Sequence, residues 1–264
     1  MNPGHSPPFT ALSNLRLANH QVQVWQAWLD CSAQELIRYS ALLSEDEQRR
    51  AGRFYFESDR NHYIVARGLL RLLLSAYQDI PPAQVEFCYG PQGKPGLPTQ
   101  VGNHLEFNLS HSKGLGVFAF GRGNPIGIDV EYIRPMPDED RFAEQFFSAA
   151  EIAWLAAHGG AEKQAGFFKI WTGKEAFFKA SGDGLTLPIS HAVIDLDGGL
   201  SVRLAAIAGD PAQAARWQIF SFEPAAGYQV ALAVEGQDWQ VTFGRLDLSG
   251  IADHLAKKAR SPGP

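Results

Sequence analysis

Only two cysteines occur among the 264 residues, Cys31 and Cys88, and neither belongs to a CxxC pair nor has a histidine at zinc-ligand spacing. Neither a disulfide framework nor a zinc knuckle is indicated, and a reducing cytoplasm is the expected compartment. Basic charge is also scarce. With 23 Lys and Arg against 28 Asp and Glu, the net charge is −5 and the pI near 5.9, which argues against a general nucleic-acid binder. Long hydrophobic runs are missing too: the most apolar helical stretch, GLLRLLLSAY, is interrupted by Arg71. The opening MNPGHSPPFT lacks a basic segment followed by an apolar one, so neither secretion nor a membrane span is expected. No GxxxxGK[ST], strand-linked GxGxxG or G-x-S-x-G is present, which leaves P-loop, dinucleotide and serine-hydrolase readings without support.

What the chain does have is 45% hydrophobic residues against 19% charged ones, enough for cores, over a length that fits about two structural units. Residues 1–19, rich in Pro, Gly, Ser and Asn, read as a flexible N-terminal segment. QVQVWQAWL alternates as a first strand, with Val22, Val24, Gln26 and Trp28 on one face. Ser44 and Glu47 have the S-x-x-E spacing of a capping box. A helix over Asp59 to Tyr77 repeats Tyr63, Ala66, Leu70, Leu73 and Leu74 at helical spacing, while Arg60, Arg67 and Arg71 make its cationic face. VEFCYG, LEFNLS and GVFAFG then read as strands. After the turn at Gly121 to Pro125 the order begins again: the strand PIGIDVEYI, a second capping box at Ser148 and Glu151, and an aromatic helix from Ala165 to Ser181 closed by Gly182. Further strands follow in HAVIDLD, SVRLAAI, WQIFSFEP, YQVALAVEG and QVTFGRLD. The expected fold is a pseudo-duplicated α+β protein with halves at 20–123 and 124–250 and a flexible tail at 251–264.

Several residue groups could carry chemistry. In GIDVE, strand periodicity puts Asp129 and Glu131 on one face, either as surface acids or as a Mg²⁺ site holding a phosphorylated substrate. Trp171, Lys174, Glu175, Phe178 and Lys179 fall at i, i+3, i+4, i+7 and i+8 of the aromatic helix, either as a solvated Lys/Glu face or as an ionic site. On the second reading Glu175 is a metal ligand or general base, and Lys174 or Lys179 neutralises phosphate. Asn108 to Ser112 ends a strand, where His111 is either structural or a phosphate donor. Lys94 stands in a GKP loop. The arginines at 49, 50, 53, 60, 67 and 71 suit either solvent or phosphate forks.

Taken in order, GKP, FNLSHS, GIDVE, FFSAAE and WTGKEAFFKASGDGL resemble the Sfp-type 4′-phosphopantetheinyl transferases of the W/KEA subtype, over about Ser44 to Leu187. The resemblance implies two similar α+β halves with the active site in the cleft between them. It implies a cytoplasmic, monomeric holo-[acyl-carrier-protein] synthase type of enzyme. This would move the phosphopantetheine arm of coenzyme A to a serine of an apo acyl, peptidyl or aryl carrier protein, releasing adenosine 3′,5′-bisphosphate. Asp129, Glu131 and Glu175 would bind Mg²⁺, with Mn²⁺ substituting. Glu175 would also activate the serine, and Lys179 would stabilise the departing phosphate. Arg50, Arg53, Arg67, Lys94, Ser110, His111, Lys174 and Lys179 would contact CoA, with His62 a substitute at the 3′-phosphate, since Glu47 stands where some relatives have lysine. The alternative is a Mg²⁺-dependent hydrolase of CoA or a related pyrophosphate. A noncatalytic carrier binder is a third reading, which leaves the acidic triad without a purpose.

Overall fold

The structure, a computed structural model, describes residues 8–9, 15–90, 93–98, 105–182, 187–197, 201–248 and 250–251. Most of the segments expected to be flexible, 1–19 and 251–264, lie outside these, as does DGL at the end of the last motif. In the first half the elements are β1 (Pro8–Phe9), β2 (Gln21–Trp28), α1 (Ala33–Ser40), α2 (Glu45–Ala51), α3 (Glu57–Gln78), β3 (Cys88–Tyr89), β4 (Pro95–Gly96), β5 (Leu105–Ser112) and β6 (Leu115–Arg122). The second half runs β7 (Ile126–Tyr132), α4 (Glu139–Phe146), α5 (Ala149–Ala157), α6 (Gly160–Ser181), β8 (Ala192–Asp197), β9 (Ser201–Ile207), α7 (Pro211–Ala214), β10 (Trp217–Phe222), β11 (Tyr228–Glu235) and β12 (Gln240–Leu246). The α+β class is as expected. VEFCYG yields only the two-residue β3, paired with Gly96 and Pro95 of β4.

The layers run helix, sheet, sheet, helix. α3 packs Leu69, Leu70 and Leu73 against Trp25, Phe118 and Phe120 of the first sheet, whose order is β1-β12-β2-β6-β5. The opposite face of that sheet, Val22, Val24, Val117 and Ala119, meets Ile128, Val130, Val230 and Leu232 of the second sheet, β10-β11-β7. Strand β6 is therefore covered on both sides, which is why its sequence is apolar at consecutive rather than alternate positions. α6 closes the stack on Ala231 and Ala233, with Phe167, Phe168 and Phe177 in the same core. One strand crosses between halves: β12 pairs in parallel with β2, in the first sheet.

The duplication extends to side chains. Both expected capping boxes form, at Ser44 with Glu47 and at Ser148 with Glu151, and in both the glutamate is buried and neutralised by the long helix that follows. Glu47 takes Arg67 and Arg71, with the nearer contacts at 2.7 and 2.6 Å; Glu151 takes Lys174 at 2.9 Å. Arg71 and Lys174 each lie fourteen residues after the first residue of their helix, Glu57 and Gly160. Each cation also donates to two carbonyls at a short 3-10 turn, Pro82 and Val85 for Arg71, Ile189 and Ala192 for Lys174. The same ionic staple thus ties capped helix, long helix and following turn together in both halves.

Candidate active site

Two edge strands, β5 of the first sheet and β7 of the second, run side by side where the halves meet. Gly127 brings β7 against α6: a Cβ there would stand 2.1 Å from the Ala176 carbonyl oxygen and 2.4 Å from the Ala180 nitrogen. Only glycine permits that approach, and it sets Asp129 beside the last turns of α6. Lys179 Nζ lies 2.5 Å from Asp129 Oδ1 and donates to Ser110 Oγ at 3.1 Å, while Ser110 donates to the same carboxylate oxygen at 2.9 Å. The other oxygen, Asp129 Oδ2, is buried with no hydrogen-bond partner.

Glu131 and Glu175 complete an acidic cluster. Burial pushes the Glu131 carboxyl above its ordinary value, and the Asp129 charge adds to this; Ser112, Arg134 and Lys179 oppose it. Burial also raises Glu175, with Asp129 and Glu131 adding to the rise and Lys179 opposing it. Among the described residues no group of three or more His, Cys, Asp or Glu closes into a metal-binding shell. What fits a hard cation is the oxygen chemistry, the mutual repulsion and the orphaned Oδ2, with room for ligands from substrate and water.

Two contiguous cavities open beside this cluster and share Gly93, Pro95 and Leu109. The first, of about 340 Å³, is lined by Lys94, Asn108, Glu175, Phe178 and Lys179 among others. The second, of about 310 Å³, is lined by Arg50, Arg67, Ser110 and His111, with Phe54 and Tyr63. Burial holds the Lys94 ammonium below its usual range, against the pull of Glu106, and its Nζ donates to the Ile126 carbonyl at 3.2 Å. His111 is solvent-accessible yet crowded enough that desolvation, then His62 and Lys179, lower its pKa; Asp59 acts the other way.

Of the residues expected at the site, Asp129, Glu131, Glu175, Lys179, Ser110, His111, Lys94, Arg67 and Arg50 come together here. Lys174 does not, which corrects its expected contact with CoA: it is 0% exposed, and its ammonium is spent on Glu151 and two carbonyls. Its neighbour on the sequence, Glu175, takes the cleft-facing position instead. Arg67 reaches the second cavity, but its charge is balanced by Glu47, its guanidinium lies 4.3 Å from the Phe87 ring centre, and it donates to Tyr89 Oη at 3.0 Å. So α3 has no free cationic face at Arg67 and Arg71, while Arg60 pairs with Glu57. Arg53 is exposed and lines neither cavity, and His62 is 2.8 Å from Asp30. Trp171 packs on Phe142 and Phe146. Tyr89 was not anticipated, and Asn108 was read only as part of the polar strand end Asn108 to Ser112, without a role of its own; its position two residues before Ser110, on the same strand face, was the available signal.

A fold of two sheet-and-helix halves with an acidic, lysine-bearing cleft between them agrees with comparison to known proteins. A family model described as 4′-phosphopantetheinyl transferase, N-terminal, matches residues 26–121, and the 4′-phosphopantetheinyl transferase superfamily model matches residues 125–233. The 4′-phosphopantetheinyl transferase HetI of Nostoc sp. is 37% identical over 234 residues, 87% of this chain and 94% of its own. A putative 4′-phosphopantetheinyl transferase of Synechocystis sp. is 34% identical over 64% of this chain and 70% of its own. The 4′-phosphopantetheinyl transferase Sfp of Bacillus subtilis is 30% identical over 79% of this chain and 89% of its own. The chain belongs to the 4′-phosphopantetheinyl transferase superfamily and is a transferase of that type; the hydrolase alternative finds no support in these relatives.

Proposed function

We propose that the cleft between residues 20–123 and 124–250 binds coenzyme A and transfers its phosphopantetheine to a serine of an apo acyl, peptidyl or aryl carrier protein. The observation that carries the residue assignment is the buried, partnerless Asp129 Oδ2 at the centre of a cluster that also holds Glu131, Glu175 and Lys179. Asp129, Glu131 and Glu175 would hold Mg²⁺, or Mn²⁺ in its place, leaving room for substrate phosphate and water. A bound cation supplies charge neutralisation at the pyrophosphate. The serine Oγ forms a bond to the pantetheine-side phosphorus, the bridging P–O bond breaks, and adenosine 3′,5′-bisphosphate leaves. Glu175 receives the serine proton, directly or through water. Lys179 uses two of its three ammonium protons on Asp129 and Ser110, which keeps the third for a phosphate oxygen. Lys94, Ser110 and His111 contact the phosphates, while Arg50 and Arg67 favour the 3′-phosphate side.

The W/KEA assignment rests on Trp171, Lys174, Glu175 and Ala176, and a monomer in the cytoplasm is the setting this reading carries. No described helix is long and apolar enough to cross a membrane. The test is Glu175→Gln, measured for CoA binding by calorimetry and for carrier modification by mass spectrometry on one preparation. Retained CoA affinity with lost turnover supports the base; near-native turnover overturns it.

A further inference from the structure

No backbone ladder joins β5 to β7 among the described residues, although they are neighbouring edge strands. Side chains do so instead, at every second residue of β5, the spacing that keeps them on one face. Asn108 Oδ1 accepts from the Ile128 N–H at 2.8 Å, and Ser110 Oγ donates to Asp129 at 2.9 Å. Ser112 Oγ donates to Glu131 Oε2 at 3.0 Å and accepts from the Tyr132 N–H at 3.2 Å. Two of these links end on carboxylates assigned to the metal. Ser110 is shared with Lys179, but Ser112 touches none of the reacting groups and lines neither cavity.

Glu131 is held only loosely by charge. Its side chain is 27% exposed, and its cationic neighbour Arg134 is 3.7 Å away on a side chain 48% exposed. Such a contact is loosely held. The Ser112 hydroxyl is different, because accepting the Tyr132 N–H fixes the direction in which it donates. We propose that Ser112 is a positioning residue for Glu131, holding the carboxylate beside Asp129 in the orientation that a divalent cation meets. The inference rests on the metal reading above and adds to it a residue outside the ligand set. Partners of metal ligands are worth roughly 10- to 100-fold in metal affinity, and for a partly hydrated carboxylate the lower end, about tenfold, is expected.

Mn²⁺ binding in the presence of CoA, read from the electron paramagnetic resonance signal of the free ion, tests this without turnover. Ser112→Ala should weaken Mn²⁺ about tenfold, Ser112→Thr should restore affinity, and CoA binding without metal should be equal in all three proteins. Native Mn²⁺ affinity in Ser112→Ala overturns the proposal, as does an equal loss in Ser112→Thr, which would assign the effect to shape. If Ser112→Ala does not fold, Ser112→Thr is compared with the near-isosteric Ser112→Val, and equal Mn²⁺ affinities there overturn it. A wild-type protein that takes no Mn²⁺, like Asp129→Ala, instead defeats the metal reading, and this proposal with it.

Discussion

Lys174→Met removes the cation from a pair in which both side chains are almost wholly buried, 0% exposed for Lys174 and 1% for Glu151. The methionine fills most of the lysine volume, so the loss is electrostatic rather than a cavity. Glu151 keeps the N–H of Ser148 and that of Ile194, each at 2.6 Å, but its charge is uncompensated, and the carbonyls of Ile189 and Ala192 lose their donor. Breaking a buried pair from one side costs about 3–5 kcal/mol. For a chain of this size that is a fall in melting temperature of about 6–20 °C. Adding Glu151→Gln should recover part of the loss, because the amide oxygen still accepts from Ile194 while the buried charge is gone. The assay is thermal denaturation of the single and double variants, with CoA titrated by calorimetry where Lys174→Met is folded. CoA affinity should be unchanged there. A variant that melts with the wild type but binds CoA tenfold more weakly would refute the inward placement and restore Lys174 to the substrate.

Other perturbations follow from the same geometry. Glu131 and Glu175 have raised native pKa values, so the native state retains protons that the unfolded chain has released, and stability falls as pH rises from the ordinary carboxylate range through the raised values. In chelator at pH 7, Glu175→Gln should therefore melt above the wild type, and the gap should close in acid; a lower melting point at neutral pH contradicts the cluster electrostatics. Gly127→Ala should cost about 3 kcal/mol, the upper end for overpacking, and lose transfer as α6 is pushed off β7; denaturant titration checks the stability. Asp129→Ala should fold and lose activity most severely at limiting Mg²⁺, which a magnesium titration of the rate reads out. CoA should be preferred to 3′-dephospho-CoA, less so as salt rises, because Arg50 is exposed whereas Arg67 is already balanced by Glu47; equal use of both donors contradicts this.

Much of this was visible in the chain because periodicity reports local direction. The alternation of Asp129 and Glu131 against Ile128 and Val130 put the acids on one face, and the S-x-x-E boxes at Ser44 and Ser148 marked α2 and α5, while a third, Ser32 with Glu35 before α1, went unread. Periodicity does not say which stripe of a helix covered on several sides faces solvent, so Lys174 and Glu175, adjacent on α6, were read as one ionic face although one is an inward staple. Arg67 and Arg71 looked like a phosphate surface because their neutraliser, Glu47, is twenty and twenty-four residues away and explained by its cap alone. The return of β12 to β2 is a parallel pairing across most of the chain, and no local pattern encodes it.

Transfer of phosphopantetheine to a carrier serine, and not to water, is read from the mass of an apo carrier incubated with the protein, CoA and Mg²⁺. The carrier should be heavier by one phosphopantetheine, with stoichiometric adenosine 3′,5′-bisphosphate and no change when the acceptor serine is replaced by alanine. CoA cleaved at an equal rate with or without carrier, while the carrier mass stays unchanged across a panel of acyl, peptidyl and aryl carriers, would contradict it.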